Sequence, residues 1–307
     1  MRKVIGIGET ILDVIFKEGK PVEAIPGGSV FNALASLGRA HVPAVLVSKI
    51  GTDRVSDHIV SFMNDNGVDS SCLTRCTDTK SPVSLAFLDE HNDADYVFYR
   101  DASTDVVELS CPDIERDDIV LIGSYFAVDP QLRSQVQPLL ERARECGAII
   151  YYDVNYRPSH RNDVIRTTPN LLENYDLADI VRGSRDDFDT LYRIQEADKV
   201  YRSEISFYCK RFVYTDSAHP VQLFAENGWK KSYPVAAAQT VSTIGAGDNF
   251  NAGFIYGLLQ QGITRADLER GLSEAQWDAL VASALRFSAA CCMDIYNYVS
   301  RDFADKL

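Results

Sequence analysis

A turn of small residues followed by a carboxylate lies near the carboxyl-terminal end of the chain. It reads Gly245-Ala246-Gly247-Asp248 and opens a helix predicted over residues 248–261. Glycines at a helix start let backbone amides approach a phosphate group closely. Asp248 is then either an ordinary capping acid or a base that takes a proton from a hydroxyl group while the amides stabilise a transferring phosphoryl group.

A second glycine turn lies far upstream. Gly27 and Gly28 precede a helix predicted over residues 29–39, and Asn32 falls near its first turn. Asparagine is a poor residue for a helix interior because its side chain competes for backbone hydrogen bonds. Asn32 therefore either faces a ligand or satisfies the local backbone, and this segment alone does not decide between them.

The elements that must position these turns alternate between strand and helix. This alternation predicts a single α/β domain over residues 1–307, doubly wound around a mostly parallel sheet with helices on both faces. Residues 10–25 and 82–104 interrupt the alternation with β-rich sequence, and we expect them to form a small lid. The further predicted strands cover residues 4–8, 45–50, 119–123, 149–154, 180–182 and 211–215, with an antiparallel pair over 221–225 and 230–235. The further predicted helices cover residues 55–66, 130–146, 165–174, 185–193, 196–203 and 274–295.

The composition limits the class of protein. The chain has 307 residues and a formal net charge of −13, which argues against nucleic acid or an anionic membrane as the main partner. No apolar stretch reaches the ~20 residues that a membrane-spanning helix needs. The seven cysteines lack the spacing of a zinc site, and the sequence starts on a strand-like run without a signal-peptide pattern. We therefore expect a cytoplasmic protein with free thiols.

The two glycine turns together resemble the paired motifs of the PfkB, or ribokinase-like, carbohydrate kinases. The upstream motif is present with one position compressed at its end, Leu37-Gly38, and the downstream motif, residues 243–248, is intact. The resemblance covers essentially the whole chain and comes nearest to the fructokinase and 2-keto-3-deoxygluconate kinase branches. It implies a ribokinase-like fold, a lid, and transfer of the γ-phosphoryl group of ATP to a sugar hydroxyl.

The resemblance also implies roles for individual residues. Asp248 matches the general base, and the turn before it matches the anion hole. Arg157 would contact phosphate, unless it forms a structural salt bridge with Asp153. Arg100 would contact the sugar, unless it is a solvated charge at a strand edge. The residues expected to bind the sugar are Asp13, Gly27, Gly28, Asn32, Arg100 and Asn155.

Three departures from the family pattern concern the nucleotide and its cations. Asp187 replaces the family's glutamate that orders Mg²⁺ through water, and Ser184 replaces its asparagine. The segment Thr215-Asp216-Ser217 keeps the threonine of the nucleotide loop but lacks its glycine. Ser242 replaces an aspartate tied to a monovalent-cation site, so activation by K⁺ is doubtful. The residues expected to bind ATP are Thr215, Ser184, Thr243, Gly245 and Gly247, with Asp187 serving Mg²⁺.

The sequence leaves the acceptor open. Fructose is the expected acceptor, 2-keto-3-deoxygluconate the alternative, and ribose or a nucleoside comes third. A protein of another class, a sugar-binding regulator that has lost turnover, is the rival reading because of the altered loop at Thr215. By resemblance and because lid strands have open edges, we expect a homodimer formed through the lid.

Overall fold

The computed structural model describes residues 2–88, 94–101, 108–236 and 240–307. Its strands are β1 (Val4–Ile7), β2 (Ile11–Lys17), β3 (Lys20–Gly27), β4 (Ala44–Gly51), β5 (Val68–Asp69), β6 (Leu73–Cys76), β7 (Val83–Leu88), β8 (Ala94–Tyr99), β9 (Ile119–Gly123), β10 (Ile149–Asp153), β11 (Ile180–Ser184), β12 (Phe212–Asp216), β13 (His219–Phe224) and β14 (Lys230–Tyr233).

The α-helices are α1 (Ser29–Arg39), α2 (Arg54–Asp65), α3 (Ser124–Val128), α4 (Arg133–Cys146), α5 (Val164–Leu177), α6 (Arg185–Tyr192), α7 (Ala197–Val200), α8 (Ala246–Gln260), α9 (Arg265–Arg270), α10 (Glu274–Cys291) and α11 (Arg301–Ala304). Short 3₁₀ helices cover Pro158–Asp163 and Glu226–Gly228, and a π-helical turn covers Tyr201–Ile205. No helix in the described ranges is long and apolar enough to cross a membrane.

One large sheet forms the centre of the molecule. Its order is β14-β13-β12-β11-β10-β9-β1-β4-β5, and β6 pairs with β4. The strands from β12 to β5 run parallel, whereas β13 and β14 are antiparallel additions at one edge. Separate apolar clusters pack on the two faces of the sheet, because parallel strands are buried on both sides. The doubly wound α/β fold predicted from the sequence is confirmed.

A second, four-stranded sheet in the described part of the chain has the order β3-β2-β7-β8. It corresponds to the predicted lid, although residues 89–93 and 102–104 of that prediction lie outside the described residues. Along β2, Asp13 and Ile15 are buried, while Leu12, Val14 and Phe16 are partly exposed on the opposite face. This alternation is typical of a sheet that covers the body with one face only.

The predicted helix over residues 274–295 was too long at its carboxyl-terminal end. Helix α10 ends at Cys291, and the following residues turn so that the backbone of Asn297 packs against Gly245. The helix predicted over 196–203 is a short α7 followed by the π-helical turn. Helix α9 was missed, although its capping box of Thr264 and Asp267 is legible in the sequence.

Candidate active site

A cavity of about 540 Å³ lies where the lid meets the starts of α1 and α8. Most residues predicted to bind sugar, nucleotide or phosphate lie in its wall, namely Asp13, Gly28, Asn32, Arg100, Asn155, Arg157, Ser184, Asp187, Thr243, Gly245, Gly247 and Asp248. Three predicted residues, Gly27, Thr215 and Ala246, do not belong to the wall as far as the described residues define it. The fold therefore brings residues 235 positions apart, from Asp13 to Asp248, into one space.

Asp248 is a buried carboxylate at the base of this cavity, with 6% of its surface exposed. The Nδ2 of Asn32 donates a hydrogen bond to its Oδ2 over 2.8 Å. Burial raises the pKa of Asp248 to about 7, against the opposing effects of the Asn32 hydrogen bond and of Arg157. A carboxylate with a pKa near neutrality is suited to general base catalysis, because it is both ionised and basic at physiological pH.

The turn before Asp248 exposes backbone donors to the cavity. Gly245 has a φ of +74° at the start of α8, and a Cβ there would lie 2.7 Å from the carbonyl oxygen of Asn297. The amide of Ala246 already donates to the carbonyl of Thr243 over 3.2 Å. The amides of Gly247 and Asp248 have no acceptor among the described residues. These two amides, at the positive end of the helix dipole, are free to donate to an anion in the cavity.

Sequence reasoning missed a buried cation beneath this turn, Arg182 on β11. It pairs with Asp153 on β10 at 2.9 Å and donates to the Oγ1 of Thr215 on β12 over 2.7 Å. A Cβ on Gly247 would lie 3.0 Å from its Nη2, so the guanidinium lies directly against the turn. The available signal was a charged residue inside an otherwise apolar strand, since such residues are buried only when paired.

Arg157 does not pair with Asp153, the structural alternative considered for it. Asp153 is instead held by Arg182 and by the Nδ2 of Asn251, which donates over 2.9 Å. Arg157 lines the cavity and has no ion pair within the described ranges. Its charge lowers the pKa of both Asp13 and Asp248. The guanidinium is therefore available to an anionic group in the cavity.

Asp13 forms the lid side of the cavity. The hydroxyl of Ser84 donates to its Oδ1, and burial raises the pKa of this carboxyl to about 6. A Cβ on Gly27 would lie 2.4 Å from the Oδ2 of Asp13, so only glycine fits behind this carboxylate. Gly28 has a φ of +122°, and a Cβ on it would lie equally close to the carbonyl oxygen of Glu9. The glycine pair thus shapes the wall around Asp13.

The end of β8 closes the cavity from the lid. Arg100 forms an ion pair with Glu9 at 2.9 Å and lies over the ring of Phe98, at 5.2 Å from its centroid. Tyr96 and Phe98 stack with their centroids 5.8 Å apart. Glu9 therefore holds Arg100 at the rim of the cavity, where its side chain stays exposed. Its contact with the sugar stays a prediction.

Asp187 is the residue predicted to serve Mg²⁺. Its Oδ2 accepts hydrogen bonds from the amide and hydroxyl of Ser184, and its Oδ1 accepts one from the amide of Tyr156 over 2.8 Å. Burial, and next to it the charge of Asp153, raise the pKa of Asp187 to about 6. The Oδ1 has capacity for one more donor on the cavity wall, so the residue fits a metal held through water. No cluster of three potential ligand side chains occurs in the part of the chain that the structure describes.

Ser242, in the loop before Thr243, stands where the resemblance places an aspartate tied to a monovalent-cation site. The hydroxyl of Ser242 accepts the amide of Ile244 over 3.2 Å. The carbonyl of Ile244 in turn accepts the thiol of Cys291 over 3.5 Å. A hydroxyl and a carbonyl that already accept internal hydrogen bonds are weaker cation ligands than the carboxylate that the family carries here. Activation by K⁺ stays a prediction that these contacts do not test.

In the altered loop after Thr215, one residue adopts a backbone conformation that is typical of glycine. Ser217 has a φ of +45°, in the left-handed region that a glycine adopts without strain. The cost for serine is roughly 1–2 kcal/mol. The neighbouring Asp216 pairs with His219 across the turn at 3.3 Å. Ser217 therefore adopts a backbone conformation that a glycine would adopt without strain.

A near-neutral base beside free amides at a helix start is the arrangement of a phosphotransferase. Residues 1–292 match the pfkB family of carbohydrate kinases, and the chain belongs to this family. It is 24% identical over 302 residues to probable fructokinase-5 of Arabidopsis thaliana, covering 94% of this chain and 89% of that protein. It is 27% identical over 246 residues to a 5-dehydro-2-deoxygluconokinase of Geobacillus thermodenitrificans (strain NG80-2), covering 76% and 72%.

Solved structures confirm the ribokinase-like fold. The fructokinase of Vibrio cholerae O395, in its form with bound fructose, ADP and calcium ion, superposes with a TM-score of 0.84 at 19% identity. The match covers 97% of this chain and 94% of that one. The resemblance inferred from the two glycine motifs is thereby confirmed at the level of family and fold.

Proposed function

We propose that this carbohydrate kinase transfers the γ-phosphoryl group of ATP to a hydroxyl of a free sugar, with fructose as the acceptor. The observation that carries the proposal is that Asp248 shares one cavity with a sugar-facing carboxylate, Asp13, and with free helix-start amides. A carboxylate accepts two hydroxyl hydrogen bonds at once, and this suits a polyol. The curated relatives named fructokinase support this acceptor.

In the proposed mechanism the protein positions the reactants and moves one proton. Asp13 and Asn32 orient the sugar, and Asp248 takes the proton of the attacking hydroxyl. The hydroxyl oxygen bonds to the γ-phosphorus while the bond to the β,γ-bridging oxygen breaks, which releases ADP. The amides of Gly247 and Asp248 stabilise the charge on the transferring group. Mg²⁺, held through water near Asp187, would supply further charge neutralisation when bound.

The position of Arg157 supports a second class of acceptor, the sugar acids. This guanidinium lines the cavity without an ion pair among the described residues, while Arg100 is already paired with Glu9. A sugar acid such as 2-keto-3-deoxygluconate carries a carboxylate that Arg157 could hold by two parallel hydrogen bonds. The relative named 5-dehydro-2-deoxygluconokinase supports this class. Ribose or a nucleoside comes third.

The proposal is tested by measuring the ADP that is released from ATP and Mg²⁺ with each acceptor of a panel. The panel contains fructose, 2-keto-3-deoxygluconate, 5-dehydro-2-deoxygluconate, ribose and a nucleoside. We expect the highest kcat/KM with fructose, and we expect Asp248→Asn to lower kcat by roughly 10²–10⁴-fold because the base is lost. Sugar binding by calorimetry without turnover on any acceptor would instead establish the sugar-binding regulator. Retention of most activity by Asp248→Asn would refute the base assignment.

We further infer a homodimer through the lid and a cytoplasmic location. The outer face of the lid carries a continuous set of partly or well exposed apolar side chains: Leu12, Val14, Phe16, Leu85, Phe87, Val97 and Tyr99. A second copy of the chain would cover this face. All seven cysteines are free, which supports a reducing compartment.

A further inference from the structure

We propose that Asn249 and Ser36 are positioning residues. They hold the catalytic turn, residues 245–248, against α1 and thereby set the orientation of the base, Asp248. The inference rests on the role proposed above for Asp248. It concerns side chains that lie behind the cavity and do not belong to its wall. Asn249 immediately follows the base on α8, and Ser36 lies in the middle of α1.

Asn249 is fully buried, and both the nitrogen and the oxygen of its side-chain amide form hydrogen bonds. Its Nδ2 donates to the carbonyl of Gly245 over 2.8 Å and to the carbonyl of Asn297 over 2.8 Å. Its Oδ1 accepts the hydroxyl of Ser36 over 2.5 Å, and that hydroxyl oxygen accepts the amide of Val299 over 3.1 Å. One side chain thus joins the catalytic turn, α1 and the segment after α10.

These contacts control the geometry of the anion-binding turn. The carbonyl of Gly245 accepts both the backbone amide of Asn249, over 2.9 Å, and its side-chain amide. Two donors on one carbonyl hold the peptide plane of the turn in a single orientation. The backbone of Asn297 packs against Gly245 so closely that no Cβ fits between them. The side chain of Asn249 bridges both partners in that contact.

The same contacts fix the base relative to α1. Asn32 and Ser36 are four residues apart and therefore lie on one face of α1, while Asp248 and Asn249 are adjacent on α8. Two hydrogen bonds between side chains consequently join the two helices side by side, Asn32 to Asp248 and Ser36 to Asn249. A shift of the first turn of α8 would lengthen the Asn32 contact, on which the orientation and the pKa of the base depend.

Kinetics of Asn249→Ala and Ser36→Ala on the best acceptor of the panel test the proposal. The expected result for Asn249→Ala is a kcat lower by roughly 10–100-fold with the sugar KM changed less than about threefold, because a small misplacement of a reacting group is costly. Ser36→Ala removes one bond of the set and should lower kcat less. Both variants should move the acid limb of the kcat/KM profile to higher pH, since the hydrogen bond from Asn32 lowers the pKa of Asp248.

Ser283→Ala is the matched control. The hydroxyl of Ser283 on α10 donates to the carbonyl of Gly253 on α8 over 2.7 Å, so it ties the same helix to a neighbour away from the turn. The control should lower the melting temperature about as much as Ser36→Ala and leave kcat and the pH profile unchanged. Equal kinetic losses in Ser36→Ala and Ser283→Ala would overturn the proposal, as would an unchanged acid limb in Asn249→Ala.

A titration that needs no turnover separates this inference from the proposed function. The ¹³C resonance of the Asp248 carboxyl, assigned through Asp248→Asn, can be followed against pH in the wild-type protein and in each variant. We expect a higher pKa in Asn249→Ala and Ser36→Ala and no change in Ser283→Ala. Equal pKa values in all four proteins refute the positioning role, even if the wild-type protein phosphorylates none of the acceptors. If Asn249→Ala does not fold, the comparison of Ser36→Ala with Ser283→Ala is sufficient to test the proposal.

Discussion

Asp248 owes its chemistry to its surroundings rather than to its residue type. An exposed aspartate is ionised well below neutral pH and is a weak base. Here burial raises the pKa, while the hydrogen bond from Asn32 and the charge of Arg157 limit the rise, which leaves a value of about 7. The balance keeps a substantial fraction of the carboxylate ionised near neutral pH, as the proposed role of a base requires.

This balance predicts the pH dependence of activity. Because the base must be ionised, kcat/KM should fall as the pH drops below about 7, the pKa of Asp248. Arg157→Met removes a charge that lowers this pKa, so the acid limb should move upward by roughly 0.5–1 pH unit. Arg161→Met, in the 3₁₀ helix that follows Arg157 and outside the cavity wall, should leave the limb in place. The measurement is a pH series of kcat/KM at saturating ATP, and equal limbs in the two variants would contradict the assignment.

At the scale of elements, the site depends on how three neighbouring strands end. Arg182 on β11 is paired with Asp153 on β10 and bonded to Thr215 on β12, so a single side chain joins the carboxyl ends of these strands beneath the cavity. Burial alone would lower the pKa of this guanidinium, but Asp153 and Asp187 raise it, and it stays charged. The guanidinium of Arg182 therefore lies next to the ends of these strands and next to the turn at Gly247.

Removal of this cation should destabilise the protein strongly. Arg182→Leu leaves Asp153 buried without its partner, and we expect the free energy of unfolding to fall by roughly 3–5 kcal/mol. Arg185→Leu is the control, since that exposed side chain lies 3.8 Å from Asp216 and should contribute less than about 1 kcal/mol. Urea unfolding followed by circular dichroism measures both losses. Similar values for the two variants would show that the buried pair does not join the strands as described.

At the scale of the whole molecule, the lid has two different faces. Its inner face carries Asp13 and Ser84 toward the cavity, and its outer face leaves Phe87, Val97 and Tyr99 at 40%, 42% and 58% exposure. An apolar face of this kind is unusual on a monomer surface and supports the proposed dimer interface. Because the two faces belong to the same strands, covering the outer face would also stabilise the position of Asp13.

The dimer prediction can be tested on this face directly. Light scattering during size exclusion at micromolar concentration should give twice the chain mass of 34.2 kDa. Phe87→Asp and Val97→Asp place a charge in the proposed interface and should shift the mass toward the monomer. Phe207→Asp, at a side chain that is 78% exposed and lies outside the lid, should leave the dimer intact. A monomeric wild-type protein would exclude this interface.

The sequence by itself determined the alternation of elements, the lid segments and the two glycine turns, because each depends on local periodicity or on the need for small residues. It also indicated Asp13, Asn32 and Asp248, which belong to short motifs. The tertiary structure decided which groups meet: Asp153 pairs with Arg182 rather than Arg157, and Ser36 with Asn249. It also decided where the helix after residue 274 ends. Such pairings join positions 29 to 213 residues apart, and no local spacing encodes a contact that only the packing of helices on the sheet creates.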